Sequence, residues 1–138
     1  MSRILVAVSS PYAAERVVDT VGDLAKKLGA EVLVVHVSRP SGGQMREQEQ
    51  ADGEAAIRLL REYLQERNVV VQDLLMFSDD IARAVLNTAV EHGVTMIVLG
   101  LTGKNVFARL LAGNVPVELI KNTKIPVLIL PPDWNKTV

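Results

Sequence analysis

A three-layer α/β domain is the fold class this chain predicts: a five-stranded parallel sheet, order 3-2-1-4-5, with helices on both faces. Three observations carry it. Short apolar runs alternate with longer stretches whose apolar residues recur at helical spacing. Most of the runs are continuous rather than alternating with polar residues, as strands covered on both faces require. Apolar residues make up 49% of the chain and aromatics only 4%, so the core is built from Val, Leu, Ile and Ala. At 138 residues there is room for one core, so 1–138 reads as a single domain with a tail at 131–138, and a tandem second copy does not fit.

The first strand is Arg3 to Val8, through Ile4-Leu5-Val6-Ala7. Ser9-Ser10-Pro11 ends it and starts a helix, with serine as cap and proline in the first turn. Val17, Val18, Val21, Leu24, Ala25 and Leu28 form that helix's inner face, and Gly29 stops it. Glu31 to Val37 is the second strand, and Ser38 to Gly43 a loop. From Gln44 to Arg67 the chain is polar at first, then helical at Ala56, Leu59, Leu60, Tyr63 and Leu64. Val69 to Phe77 is the third strand, with Gln72 and Asp73 indicating partial exposure. Asp79 and Asp80 suit a helix cap, ahead of an inner face of Ile81, Ala82, Val85, Leu86 and Ala89, and Gly93 ends that helix. Thr95 to Leu99 is the fourth strand. Asn114 to Thr123 reads as a short helix with Leu119 and Ile120 inward. Ile125 to Leu130 is the fifth strand, whose Pro126 suits an edge. The tail is polar apart from Trp134 and is expected to be loosely held.

Strands alternating with helices imply parallel pairing through right-handed crossovers. Ligands bind such sheets beyond the carboxyl ends of the strands, where the strand order reverses; here the first and fourth strands flank that point. Composition removes other classes. A net charge of −1 leaves no basic excess for nucleic acid. The absence of cysteine excludes disulfides, thiolate catalysis and Cys-based metal sites, and suits a reducing cytoplasm. With no signal-like start and no apolar run long enough for a bilayer, the expectation is a cytoplasmic protein with no membrane partner.

After the fourth strand come Gly100, Gly103 and Gly113, spaced G-x2-G-x9-G. Glycines at a strand end and a helix start let backbone N–H groups approach a phosphate chain. Amides of the helix after Gly113 add unpaired donors and the positive end of a helix dipole. The pattern is not a P-loop, which needs glycine at Val98 and a hydroxyl at Asn105. No G-x-G-x-x-G follows the first strand, so a dinucleotide site is not indicated.

With these glycines, Ile4-Leu5-Val6-Ala7-Val8, Val34-Val35-His36-Val37, Ile97-Val98-Leu99-Gly100 and Ile125-Pro126-Val127-Leu128-Ile129-Leu130, the chain resembles the universal stress protein family over essentially its whole length. The resemblance implies an adenine nucleotide, ATP, ADP or AMP. Gly100, Gly103, Gly113, Asn114 and Val115 would line its phosphate and ribose side. The main chain of Val37 would meet the adenine edge, and Ala7, Val8, Ser9 and Leu99 would complete the set at the strand ends. Two positions depart from the family's pattern. Asn114 stands where Ser or Thr is usual, and it can still cap a helix and donate. Ser9 replaces the usual aspartate, and one uncharged hydroxyl cannot accept two ribose hydroxyl bonds as a carboxylate can. Altered nucleotide selectivity is the expectation.

Lys104 and Arg109 could pair with the β- and γ-phosphates or stand as solvated charges. Mg²⁺ would arrive with the nucleotide, held by phosphates and water. His36 reads as a packed, hydrogen-bonded histidine, and His92 suits a helix end. The two do not make a metal site, and Ser9-Ser10 is no nucleophile elbow. No general base is evident, so no catalytic residue is assigned. The favoured reading is a regulatory or sensing module that changes its surface when nucleotide binds, for a protein partner the sequence does not name. The alternatives are a nucleotide-free dimeric interaction module and a slow ATPase. The apolar edge Val127, Leu128, Ile129 and Leu130 needs cover, and the resemblance implies a homodimer through it.

Overall fold

The computed structural model describes residues 1–38, 40, 43–100, 115–131, 134 and 136–138. Along the chain they form β1 (Arg3–Ala7), α1 (Pro11–Leu28), β2 (Glu31–Ser38), α2 (Gly43–Glu66), β3 (Val71–Phe77), α3 (Ile81–Glu91), β4 (Met96–Gly100), α4 (Val115–Asn122) and β5 (Val127–Leu130). The strands make one parallel sheet in the order β3-β2-β1-β4-β5. Ala7 sits between Val35 of β2 and Leu99 of β4, so β1 is central.

Each strand of the middle feeds both helix layers because its side chains alternate between faces. Ile4, Val6, Val32, Val34 and Val98 pack under α1 and α2 with Val17, Val21, Ala56, Leu60 and Leu64. Leu5, Leu33, Val35, Ile97 and Leu99 pack under α3 and α4 with Ala82, Val85, Ala89 and Leu119. The continuous apolar runs of β1, β2 and β4 follow from this burial on both sides.

Local chemistry sets the helix ends. Ser10 caps α1 by accepting from the Ala13 N–H at 3.2 Å, with Pro11 as the first helical residue. At its other end Gly29 turns left-handed at φ 61°. The following Ala30 N–H reaches the Ala25 carbonyl at 2.8 Å. Asp80 caps α3, accepting from the Arg83 N–H at 3.1 Å. His92 closes it, its Nδ1 donating to the Thr88 carbonyl at 2.9 Å. Tyr63 of α2 donates to Asp19 of α1, and the Arg67 guanidinium stacks on its ring. Burial, then the Asp19 carboxylate, pushes the Tyr63 phenol above its ordinary value.

Several expectations need correction. β3 begins at Val71, because the Val69 N–H instead closes α2 by donating to the Leu64 carbonyl at 3.0 Å. β5 begins only at Val127, after Pro126, whose ring nitrogen has no N–H to give a ladder. Leu28, in the last turn of α1, is 45% exposed. Ile120 is not inward: it is 49% exposed, since the roughly 100° step per residue turns it away from the sheet that Leu119 faces. Nor does the tail stand off the domain. Trp134 packs against the α1–α2 side of the core and donates from its indole to Thr20 of α1 at 3.1 Å. Thr20 in turn donates to the Lys136 carbonyl. No helix among the described residues is long and apolar enough to cross a membrane.

Candidate functional site

The strand order fixes where a site can form. From β1 the chain crosses to β2 through α1 on one face; from β4 it crosses to β5, and α4 covers the opposite face. The helices that follow these two neighbouring strands therefore lie on opposite faces, the arrangement in which open α/β sheets take a ligand at the strand ends. Ala7, Val8, Ser9, Leu99 and Gly100 are brought to this edge, as the sequence reading expected. Val37 lies one rung further out on β2 than the bond from the Val8 N–H to the Val35 carbonyl, 3.0 Å. Val115 opens α4. Gly103, Lys104, Arg109, Gly113 and Asn114 lie outside the described residues.

Among these residues Ser9 is exposed and its hydroxyl has no hydrogen-bond partner among the described residues, whereas Val8, Val37 and Leu99 are buried. The accessible polar groups there are thus backbone amides, carbonyls and one hydroxyl. Such a set can hold a ligand by hydrogen bonds without contributing charge. Gly100 has a packing reason of its own. A Cβ there would stand 2.6 Å from Cγ1 of Val17 in α1, far inside contact distance. The absence of a side chain lets α1 lie close against the tip of β4.

Beneath the tip of β1 sits a polar cluster that the sequence reading only half found. His36 is 2% exposed. Its Nδ1 lies 2.8 Å from the Val8 carbonyl, which can only accept, so Nδ1 carries the proton. In the neutral ring Nε2, 2.9 Å away, then accepts from the hydroxyl of Ser38, itself fully buried. The ring fills a slot in α2 at Gly53, where a Cβ would come within 2.0 Å of it. His36 was expected to be packed and hydrogen-bonded, and it is. Gly53 was missed, although a glycine inside a helical stretch costs about 1 kcal/mol relative to alanine and signals a packing demand.

Neither His36 nor Asp80 is free to act as a general base: both ring nitrogens of the first are engaged, and the second caps a helix. Among the described residues no three histidine or acidic side chains gather into a metal-holding group. A second concavity, about 470 Å³, lies between α3 and α4. It sets Arg83 and Lys124 against Asp80 and Glu118, so no single sign of charge selects a ligand there.

Comparison with known proteins bears on this geometry. The universal stress protein family model matches residues 1–131. The chain belongs to the universal stress protein family. Solved relatives share the fold at low identity. A universal stress protein from Lactobacillus plantarum superposes with a TM-score of 0.77 at 19% identity, covering 94% of this chain and 97% of its own. One from Archaeoglobus fulgidus, in complex with dAMP, gives 0.71 at 21% identity, with 94% and 97% covered. A family protein from Arabidopsis thaliana with AMP bound gives 0.66 at 13% identity, with 96% and 93% covered. No curated protein is matched by the chain.

Proposed function

We propose that this universal stress protein binds an adenine nucleotide, AMP or ATP, at the carboxyl ends of β1 and β4, and acts as a cytoplasmic regulatory module. The observation that carries the reading is the strand order. It sets β1 beside β4 with helices leaving to opposite faces, and the crevice between them is where nucleotides bind in open α/β sheets. The dAMP and AMP held by the two relatives support adenine as the base. The G-x2-G-x9-G spacing supports a phosphate cradle of backbone amides, from Gly100 through Gly103 to Gly113, Asn114 and Val115. Lys104 and Arg109, which lie between Gly103 and Gly113 in the sequence, are the cations proposed to pair with a phosphate tail. Mg²⁺ would be held by the phosphates and water, since the strand-end residues offer no carboxylate for it.

Ser9 tunes the site. Its hydroxyl gives one hydrogen bond to the ribose side and no charge. Affinity is therefore expected to be modest, and Ser9→Asp to tighten AMP binding by about tenfold, one charge-assisted bond's worth. Calorimetric titration with AMP and ATP checks both statements. No detectable affinity at millimolar nucleotide overturns the reading.

A second reading has an observation in its favour. Val17 alone is reason enough for a glycine at position 100, so the fold could be kept while the ligand is lost. The chain would then be a nucleotide-free interaction module. Both readings share a homodimer through β5, which closes the sheet at its edge with Val127, Leu128 and Ile129 only partly covered. Native mass spectrometry separates the two: a dimer carrying co-purified nucleotide supports the first, a nucleotide-free dimer the second, and a monomer at micromolar protein removes the dimer from both.

A further inference from the structure

We propose that His36 is a positioning residue of the nucleotide site, holding the buried Val8 at the tip of β1 so that Ser9 faces the ligand. The inference rests on the function proposed above. β1 has hydrogen-bonded neighbours on both sides only as far as Ala7, and Ser10 already belongs to the cap of α1. Two residues, Val8 and Ser9, make the exit. The Val8 N–H is tied to Val35 at 3.0 Å. Its carbonyl is tied to His36 at 2.8 Å. With the N–H and the carbonyl of Val8 both tied, the peptide groups on either side of its Cα are held, and the direction of the Ser9 backbone is set.

Three features make His36 a rigid support. Gly53 leaves no free volume over the ring, since even a Cβ would lie within 2.0 Å of it. The Ser38 hydroxyl at 2.9 Å fixes the ring's rotation from its other nitrogen. Ser38 is fixed in turn, because its carbonyl accepts from the Ser78 N–H at 2.9 Å. A chain of contacts thus runs from α2 and the β3 exit through the imidazole to the β1 exit. Support of this kind reduces the ordering cost that a ligand meets on binding.

Asparagine separates this role from simple core filling. Its side-chain nitrogen occupies the place of Nδ1 and can donate to the Val8 carbonyl, while the rest of the ring is lost. His36→Asn and His36→Ala both leave a void under Gly53, and both lose the acceptor for Ser38. Only the alanine variant also releases Val8. AMP affinity, measured by calorimetry on folded protein, is expected to stay within about threefold of wild type in His36→Asn and to fall by about tenfold or more in His36→Ala. In the ligand-free protein, hydrogen exchange at the Val8 amide, which donates to the Val35 carbonyl at 3.0 Å, should accelerate in His36→Ala and not in His36→Asn. Should His36→Ala fail to fold, adding Gly53→Ala refills its slot, because the methyl group then stands where the ring stood; His36→Asn keeps a Cγ that would lie 2.3 Å from that methyl group, so it is compared in the Gly53 background. Equal affinities and equal Val8 exchange in the two variants overturn the inference while leaving nucleotide binding intact. Failure of the wild-type protein to bind AMP at millimolar concentration overturns the proposed function and this role within it, even where Val8 exchange distinguishes the variants.

Discussion

Leu119→Ala is expected to remove about 3 kcal/mol of stability, and to weaken AMP binding beyond what that loss alone explains. Among the described side chains of α4, Leu119 alone is buried, with no exposed surface. It packs with Val85, Ala89, Ile97 and Leu99 on the α3 face of the sheet. The helix has only eight residues, too few to hold together in water without such an anchor. Its neighbours on the helix cannot take over. Ile120 points to solvent, and Glu118, Lys121 and Asn122 are exposed. Truncation therefore acts twice. It leaves a cavity beneath the helix, and it loosens the element whose first residue, Val115, belongs to the nucleotide set. Chemical denaturation reads the first effect and nucleotide titration the second. An affinity unchanged in the folded variant would show that α4 does not contribute to the site.

The elements with the clearest sequence pattern are those with one dominant energetic term. β1, β2 and β4 are covered on both faces, so their burial shows as unbroken apolar runs. Ser10, Pro11, Gly29 and Asp80 were legible because a cap is a local matter between a side chain and amides a turn away. The misreadings lie where a distant partner decides. Ile120 is apolar, yet α4 crosses the sheet with only one face, and the sequence of so short a helix leaves its rotation open. Trp134 looked like part of a loose tail; its indole finds Thr20, 114 positions away in the sequence. At the site, the strand ends Ala7, Val8, Ser9, Leu99 and Gly100 followed from the family resemblance together with the strand order. Gly53 and Ser38 were not, because their reason is the His36 ring, and that contact joins β2 to the middle of α2.

Gly100→Ala, taken with Val17→Ala, decides what that glycine is for. Alone, Gly100→Ala is expected to cost about 2 kcal/mol, as overpacking does when the neighbour cannot yield. Val17 cannot yield: it is 2% exposed in the core, and a β-branched side chain on a helix has essentially one comfortable rotamer. A contact of 2.6 Å to its Cγ1 must be relieved by moving α1 or the tip of β4. Val17→Ala removes the colliding methyl. The double variant should then be more stable than the two single losses predict, with a coupling of about 1 kcal/mol or more. Stability returns in that background under either reading of the glycine, but binding does not. If position 100 serves only the approach of α1, the double variant binds AMP like Val17→Ala alone. If the bare backbone at Gly100 also lets a phosphate or ribose come close, the added methyl group stands in the crevice after the strain against α1 is gone. Affinity then stays about tenfold lower than in Val17→Ala, the scale of one lost contact to a charged group. The second outcome is the one expected of a strand tip that faces the switch point of the sheet.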